Sequence, residues 1–340
     1  MDALTEGRSK PRRWQGITGM HRLLRTLLSC LAALALLGML LPLQRAWFPS
    51  NDGLAWALDL FAHWQPWYAV AWGLSCTLMA ISQRRWLWAL PVVALPWLTA
   101  SRPATEALRP TELVVVVANV NIHQRDPHRL LEWLRTHPAN IVVLTELSPT
   151  YAKQLAAAAN GGFSHAAIHA QDSPPGLGIL SDRPLHEQRL HSDALGALHL
   201  ETRIVLHGQS IRLIAVHPKP PMAVRKFRAR DQLLRELAQS TTQPLIVAGD
   251  LNATPWSSAL YAAQRHQLLR VTGSAPTYPS EGAGLIGIGI DHVLVSPQLA
   301  GTFRQRGPDI GSDHLPVRAG LAWHSAPARS AAGTAPSSPE

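Results

Sequence analysis

Leu245-Ile246-Val247-Ala248-Gly249-Asp250-Leu251-Asn252 packs four apolar residues against a glycine, a carboxylate and an amide. A short apolar run bounded by glycine reads as a strand buried on both faces. Polar residues just past such a strand stand where ligands of open α/β sheets collect. The same pattern recurs outward in both directions. Residues 113–118 form a β-branched run ending in Asn119, Val120 and Asn121, and residues 141–144 run into Thr145-Glu146. His217 follows a strand pattern over 211–216, Asp291-His292 opens one at 291–295, and Asp313-His314 precedes one at 317–323. Further strands are expected at 178–181 and 198–206. Helical spacing is expected after Asp126-Pro127 (Leu130, Leu131, Trp133, Leu134), over 151–159 and 223–239, and after Pro255. Strands interleaved with helices, with no Gly-rich first turn, indicate an α/β or α+β sandwich and exclude a dinucleotide fold.

Six separate segments thus bring carboxylates, amides and histidines to strand ends. Oxygen donors of this kind suit Mg²⁺, with Mn²⁺ or Ca²⁺ as alternatives. The two cysteines, Cys30 and Cys76, both lie in apolar stretches, which excludes a disulfide framework or a cysteine zinc site.

Val117-Ala118-Asn119-Val120-Asn121, Val143-Leu144-Thr145-Glu146, Ala215-Val216-His217-Pro218, Ala248-Gly249-Asp250-Leu251-Asn252, Ile290-Asp291-His292-Val293-Leu294 and Gly311-Ser312-Asp313-His314-Leu315-Pro316-Val317 resemble, in order, the motifs of the endonuclease/exonuclease/phosphatase superfamily. The resemblance covers about 113–323. It implies a deoxyribonuclease-I-like four-layer α/β (α+β) sandwich that hydrolyses phosphate esters with a divalent metal. It further implies that Glu146 is the principal metal ligand, with Asn119 beside it and Asp313 supporting the metal or its waters. Asp250 would orient and deprotonate the attacking water, and Asn252 would hold that water or a phosphoryl oxygen. His314, braced by Asp291, and His217 would face the phosphate. These residue types agree with the chemistry: an anionic ester repels nucleophiles until its charge is offset, and a His held by a carboxylate keeps one tautomer.

The rest of the chain is organised differently. Nine of the 12 Trp residues fall in the first 100 positions, where nine Lys/Arg stand against four Asp/Glu. Residues 113–340 carry 20 against 16, so the net charge of +9 is no sign of a nucleic-acid-binding face. A basic segment, 1–25, precedes a charge-free run at 26–44, long enough to cross a bilayer. Further apolar runs at 64–83 and 86–101 predict about three transmembrane helices. Basic flanks keep the N-terminus and Arg84-Arg85 cytoplasmic. Three crossings leave the later domain periplasmic or extracellular; if the third run does not cross, that domain is cytoplasmic. Residues 102–112 read as a linker, 113–324 as the catalytic domain and 325–340 as a disordered tail.

Three further signals are weaker. Gly282-Ala283-Gly284-Leu285-Ile286-Gly287 matches a dinucleotide string without the strand–turn–helix context, so it reads as a loop. His165 and His169 have helical metal-pair spacing, but the stretch reads equally well as strand. Arg225, Lys226, Arg228, Arg230 and Arg235 form either a solvated helix face or a phosphate-reading edge near His217. Arg228 and Arg230, with Trp256 as a stacking platform, are the substrate-binding candidates. The expectation is a membrane-anchored phosphoesterase whose partners are the lipid bilayer and a phosphate-ester substrate: a lipid headgroup, a small phosphodiester or nucleic acid. The rivals are a membrane-tethered nuclease and a catalytically idle binding module on an anchor.

Overall fold

The computed structural model describes residues 12–48, 53–106, 108–158, 162–239 and 242–324; the first 11 residues and the expected tail at 325–340 lie outside them. The N-terminal hundred residues contain α1 (Arg12–Leu40), α2 (Gly53–Ala62), α3 (Gln65–Ala80) and α4 (Leu95–Thr99), with 3-10 turns at Leu41–Ala46 and Arg84–Ala94. The chain divides into two compact units, and α2 does not belong with its neighbours. The first unit holds α1, α3, α4 and both 3-10 segments; the second holds α2 and everything from Ser101 onward.

In the first unit, Ala32, Ala35 and Met39 of α1 pack on Ala69, Trp72, Cys76 and Met79 of α3. Small residues let the two helices approach closely, and a Cβ at Gly38 would meet the Tyr68 ring at 2.6 Å. Met20–Ala46, with a mean hydropathy of 2.2, is the one stretch among the described residues that is long and apolar enough to cross a membrane. The single helix expected over 86–101 is corrected. Pro91 lies inside a 3-10 helix and Pro96 opens the short α4, because proline removes an amide donor and clashes with the preceding turn.

The second unit is built on two six-stranded sheets. Its strands are β1 (Leu113–Asn119), β2 (Ile141–Thr145), β3 (His165–His169), β4 (Leu177–Ser181), β5 (His186–Ser192), β6 (Leu198–Leu206), β7 (Gln209–Val216), β8 (Leu245–Asp250), β9 (Leu269–Arg270), β10 (Asp291–Val295), β11 (Leu299–Arg306) and β12 (Val317–Trp323). One sheet has the order β11-β12-β1-β2-β4-β3 and the other β5-β6-β7-β8-β10-β9. Its remaining helices are α5 (His128–Thr136), α6 (Pro149–Ala158), α7 (Val224–Ala238) and α8 (Ser258–Arg265). His165 and His169 lie on β3, which removes their helical pairing.

The alternation of side chains along a strand explains the layering. Val115 and Val117 of β1 meet Ile246 and Ala248 of β8 in the core between the sheets. Val116 and Ala118 face the other way, toward Leu130, Trp133 and Leu134 of α5. Leu245 and Val247 of β8 pack on Leu233, Leu234 and Leu237 of α7 and on α8. The result is the expected helix–sheet–sheet–helix sandwich, in which each fully buried Val or Leu contributes about 1.5–3 kcal/mol.

Within the expected linker, 102–112, the backbone meets strand edges near both ends. Pro103 bridges to Arg270 and Glu106 to Gly301, and the amide of Glu112 donates to the Leu321 carbonyl at 2.9 Å. Extended, proline-bearing backbone has unpaired carbonyls and amides that strand edges satisfy.

Candidate active site

The central strands of the two sheets deliver their terminal side chains to one place. Asn119 ends β1 and Asp250 ends β8; β1 pairs in parallel with β2 so that Asn119 stands opposite Thr145, and Glu146 follows. In the other sheet β10 runs antiparallel to β8 with Asp291 directly opposite Asp250. Gly249 is required there: at φ 152° its missing Cβ would lie 1.9 Å from the Val216 carbonyl oxygen. Asn121, Glu146 and Asn252 all have left-handed backbones, with φ of 57°, 56° and 48°. Such conformations cost free energy in non-glycine residues and concentrate at functional sites.

Asn119 is the hub. Its Nδ2 donates to Glu146 Oε1 at 3.0 Å and to Asp250 Oδ2 at 3.2 Å, and it lies 3.4 Å from His314 Nε2. His217 Nε2 stands 3.5 Å from Asp250 Oδ2 and 3.9 Å from Glu146 Oε1, while its Nδ1 faces the Pro174 carbonyl at 3.1 Å. A carbonyl only accepts, so that nitrogen carries a proton and Nε2 is directed to the carboxylates. His314 Nε2 lies 3.7 Å from the same Asp250 oxygen. Its Nδ1 is 2.9 Å from Asp291 Oδ2, and the Tyr278 ring lies against it with centroids 4.8 Å apart. Asn252 donates its amide to Asp250 Oδ1 at 2.9 Å and its side-chain Nδ2 to the Pro218 carbonyl at 2.9 Å.

These contacts set the charge states. Burial works against an ionised Asp250, but His314 and His217 outweigh it and hold its pKa down to about 2. Burial likewise opposes charging His314, yet Asp291 and Asp250 push its pKa up to about 10. His217 is raised in the same way, its burial offset by Asp250 and Glu146. At neutral pH the site therefore holds an ionised Asp250 beside a charged His314, with His217 biased toward its protonated form.

The donor set fits a divalent cation. Glu146 and Asp250 direct carboxylate oxygens at the same Asn119 amide group, and Glu146 keeps 21% of its side chain open to solvent. Asp250, Asp291 and His314 also place ligand atoms within 4.8 Å of one another. That second grouping is the poorer one, because Asp291 and His314 are hydrogen-bonded to each other and a protonated imidazole cannot ligate. Asp313 stands apart from the Asn119 hub; its Oδ1 accepts from Asn121 Nδ2 at 2.9 Å.

The structure brings Asn119, Glu146, His217, Asp250, Asn252, Asp291 and His314 together. It corrects two substrate-binding expectations. Arg230 is 1% exposed and Trp256 2% exposed, so neither can meet a substrate. Arg230 is drawn inward by Asp59 and Asp231, at 2.9 and 2.8 Å. Arg228 is exposed on α7. His292, beside Asp291, points to the opposite face of β10. Burial lowers its pKa to about 3, and it holds the Ala253 carbonyl at 2.9 Å. Asn121, Tyr278 and Asp59 join the site or its support with no role expected from the sequence. Asp59 did carry a signal, as a carboxylate standing next to the charge-free run 60–83.

A family model described as the endonuclease/exonuclease/phosphatase family matches residues 116–314, more than half of the chain. Solved structures with the same fold include a humanized TDP2 from D. rerio carrying 14 mutations (TM-score 0.52, 17% identity, covering 62% of this chain and 98% of that one). An endonuclease/exonuclease/phosphatase from Beutenbergia cavernae superposes with a TM-score of 0.52 at 18% identity, covering 64% of this chain and 73% of its own. An AP endonuclease from Archaeoglobus fulgidus does so at 0.50 and 17% identity, covering 61% and 98%. No curated protein sequence matches the chain. The matched span begins in β1 and ends on His314, taking in the whole hub around Asn119, and with it the chain belongs to the endonuclease/exonuclease/phosphatase family of phosphoester hydrolases.

Proposed function

We propose that this protein is a membrane-anchored, metal-dependent phosphoesterase that hydrolyses a phosphodiester or phosphomonoester by in-line attack of water, with its catalytic domain on the periplasmic or outer side. The observation that carries the reading is the convergence of Glu146, Asp250 and His314 on Asn119, with His217 set against Asp250. Glu146 and Asn119 would hold a Mg²⁺ or Mn²⁺ ion, with Asp313 behind them. When bound, such an ion polarises a phosphoryl oxygen and offsets its charge. Asp250, ionised and fixed by Asn252, orients water and receives its proton. His314, charged at neutral pH, and His217 stabilise the phosphoryl oxygens, and His314 protonates the leaving oxygen.

Several features favour a lipid-linked or small phosphoester over nucleic acid. A nucleic-acid groove needs cationic and aromatic platforms, and the burial of Arg230 and Trp256 removes two of the candidates. The 280–287 loop, held to Asp313 by the Ser280 amide, instead exposes Leu285 and Ile286 at 78% and 64%. Apolar surface beside the site suits an acyl-bearing substrate. The AP endonuclease among the similar folds keeps a nuclease as the second reading.

The placement across the membrane is supported by α2. Trp56 Nε1 donates to the Pro221 carbonyl at 2.8 Å and Asp59 pairs with Arg230 of α7. A helix docked on the catalytic domain shares its side of the bilayer, so the chain crosses an even number of times between α2 and β1. Two crossings, by α3 and the run at 84–99, satisfy that parity. In 3-10 geometry at about 2.0 Å per residue, the nine residues after Arg84-Arg85 and the five of α4 reach about 25 Å, against about 30 Å for the hydrocarbon core.

A panel of phospholipid, small phosphodiester, plasmid DNA and RNA, assayed with Mg²⁺ or Mn²⁺, tests the substrate; hydrolysis of nucleic acid alone rejects the lipid reading. Cysteines placed at Arg85 and Arg109 test the topology. Labelling of both from the same side of the membrane rejects three crossings.

A further inference from the structure

The loop that carries Asn252 leaves the sheet at Asp250 and enters α8 at Ser258. Side chains from outside that loop tie it down at two backbone atoms and one hydroxyl. Arg230 Nη1 donates to the Asn252 carbonyl at 2.8 Å. Asp59 Oδ1 accepts the Ser258 amide at 2.7 Å, and His63 Nδ1 contacts Thr254 Oγ1 at 2.7 Å. Two of these three residues, Asp59 and His63, come from the short segment between α1 and α3.

Arg230 joins the two halves of this arrangement. Its side chain is fully buried on α7; Nη2 donates to Asp59 Oδ2 at 2.9 Å and to Asp231 Oδ1 at 2.8 Å, while Nε shares Asp231 Oδ1 at 2.9 Å. Asp231 in turn receives the Ser258 hydroxyl. A guanidinium has five donors in a rigid plane, so it reaches two carboxylates and a carbonyl at once; an ammonium on a flexible stem does not hold that fork. The carbonyl it takes belongs to a residue at φ 48°, and the amide of the same residue fixes Asp250 Oδ1 at 2.9 Å.

We propose that Arg230, held by Asp59 of α2, is a positioning residue for Asn252 and Asp250, so that the segment between the two apolar helices is a working part of the catalytic site. The inference rests on Asp250 and Asn252 serving the phosphoesterase reaction proposed above. It means that α2 sets the geometry of the water-handling carboxylate as well as the position of the domain.

The test uses the full chain in detergent, bis(p-nitrophenyl) phosphate as probe and Mn²⁺. Arg230→Lys keeps the charge and loses the fork. Well below its melting midpoint, it is expected to lower kcat by about 10–100-fold with KM within about twofold. Amide hydrogen exchange over residues 250–258 is expected to accelerate about tenfold, and exchange in β1 and β2 to stay at the wild-type rate. Should Arg230→Lys fail to accumulate, His63→Ala releases Thr254 alone and carries the same expectation at about 3–10-fold. A folded variant with wild-type kcat and wild-type exchange over 250–258 overturns the proposal. A wild-type chain that hydrolyses no phosphoester rejects the catalytic reading instead, and the exchange data still decide whether Arg230 holds the loop.

Discussion

Asp59 and Asp231 share a guanidinium that keeps its proton at any pH the fold survives, whereas Asp250 and Asp291 share the His314 imidazole, whose proton is exchangeable. Both clusters are buried in the same unit, and both gather carboxylates that would repel one another if left alone. In the first, every nitrogen of the cation is engaged: two carboxylates and a carbonyl take four of its five N–H groups. In the second, Glu146 still faces solvent with 21% of its side chain, and a buried oxygen of Asp291, Oδ1, has no partner. A saturated cluster holds shape; an unsaturated one with movable protons can bind an ion and do chemistry. The contrast shows why charge burial alone does not mark an active site.

Removing Asp250 and removing Arg230 should therefore fail in opposite ways. Asp250→Ala is expected to lower kcat by about 10³-fold while leaving the melting midpoint close to wild type. Stripping divalent metal with a chelator should abolish turnover, and added Mn²⁺ or Mg²⁺ should restore it. Retention of activity in either experiment would erase the distinction between the clusters. Arg230→Met, by contrast, strands two carboxylates and should cost about 3–5 kcal/mol. At about 2–4 °C per kcal/mol for a domain of this size, that is a drop in melting midpoint of roughly 6–20 °C by calorimetry. An unchanged midpoint would mean that the Arg230 cluster is not structural.

A smaller effect sharpens the proton side of the comparison. His314 is raised to about 10 in the fold, chiefly by Asp291 against the pull of burial. A raised folded pKa stabilises the protein fully below about 6.5 and loses that contribution as pH rises through about 10. Asp291→Asn should bring the His314 titration down in the metal-free protein, measured by NMR, and move the alkaline loss of stability to lower pH. A titration that stays near 10 would show that Asp291 does not govern the imidazole. Smallest of all, Leu285→Ser with Ile286→Ser should slow hydrolysis of a phospholipid in vesicles several-fold and leave a soluble diester untouched; equal rates on both would remove the apolar rim from the reading.

Much of the site was legible because its residues follow buried strands. Asn119, Glu146, His217 and Asp250 each end or follow an apolar run, and the order of the motifs supplied the sandwich. What escaped the sequence reading depends on distant partners. Arg230 looks like one more cation on a basic helix until Asp59, far earlier in the chain, is seen to neutralise it. The strand β5 is exposed along most of its length and lacks apolar alternation, so only its pairing with β6 reveals it. Residues 102–112 look like a linker because proline and polar side chains say nothing of the edges they will meet.

The separation of 171 residues between Asp59 and Arg230 also has a bearing on biogenesis. At about 5–20 residues per second, α2 emerges from the ribosome roughly 10–30 s before its partner exists. For that interval Asp59 waits between two apolar segments with only His63 of its own segment beside it. On the topology proposed above, α7 would arrive at a helix already delivered, and with Arg230 in its proposed role the loop carrying Asn252 would gain its last tether only when the two meet.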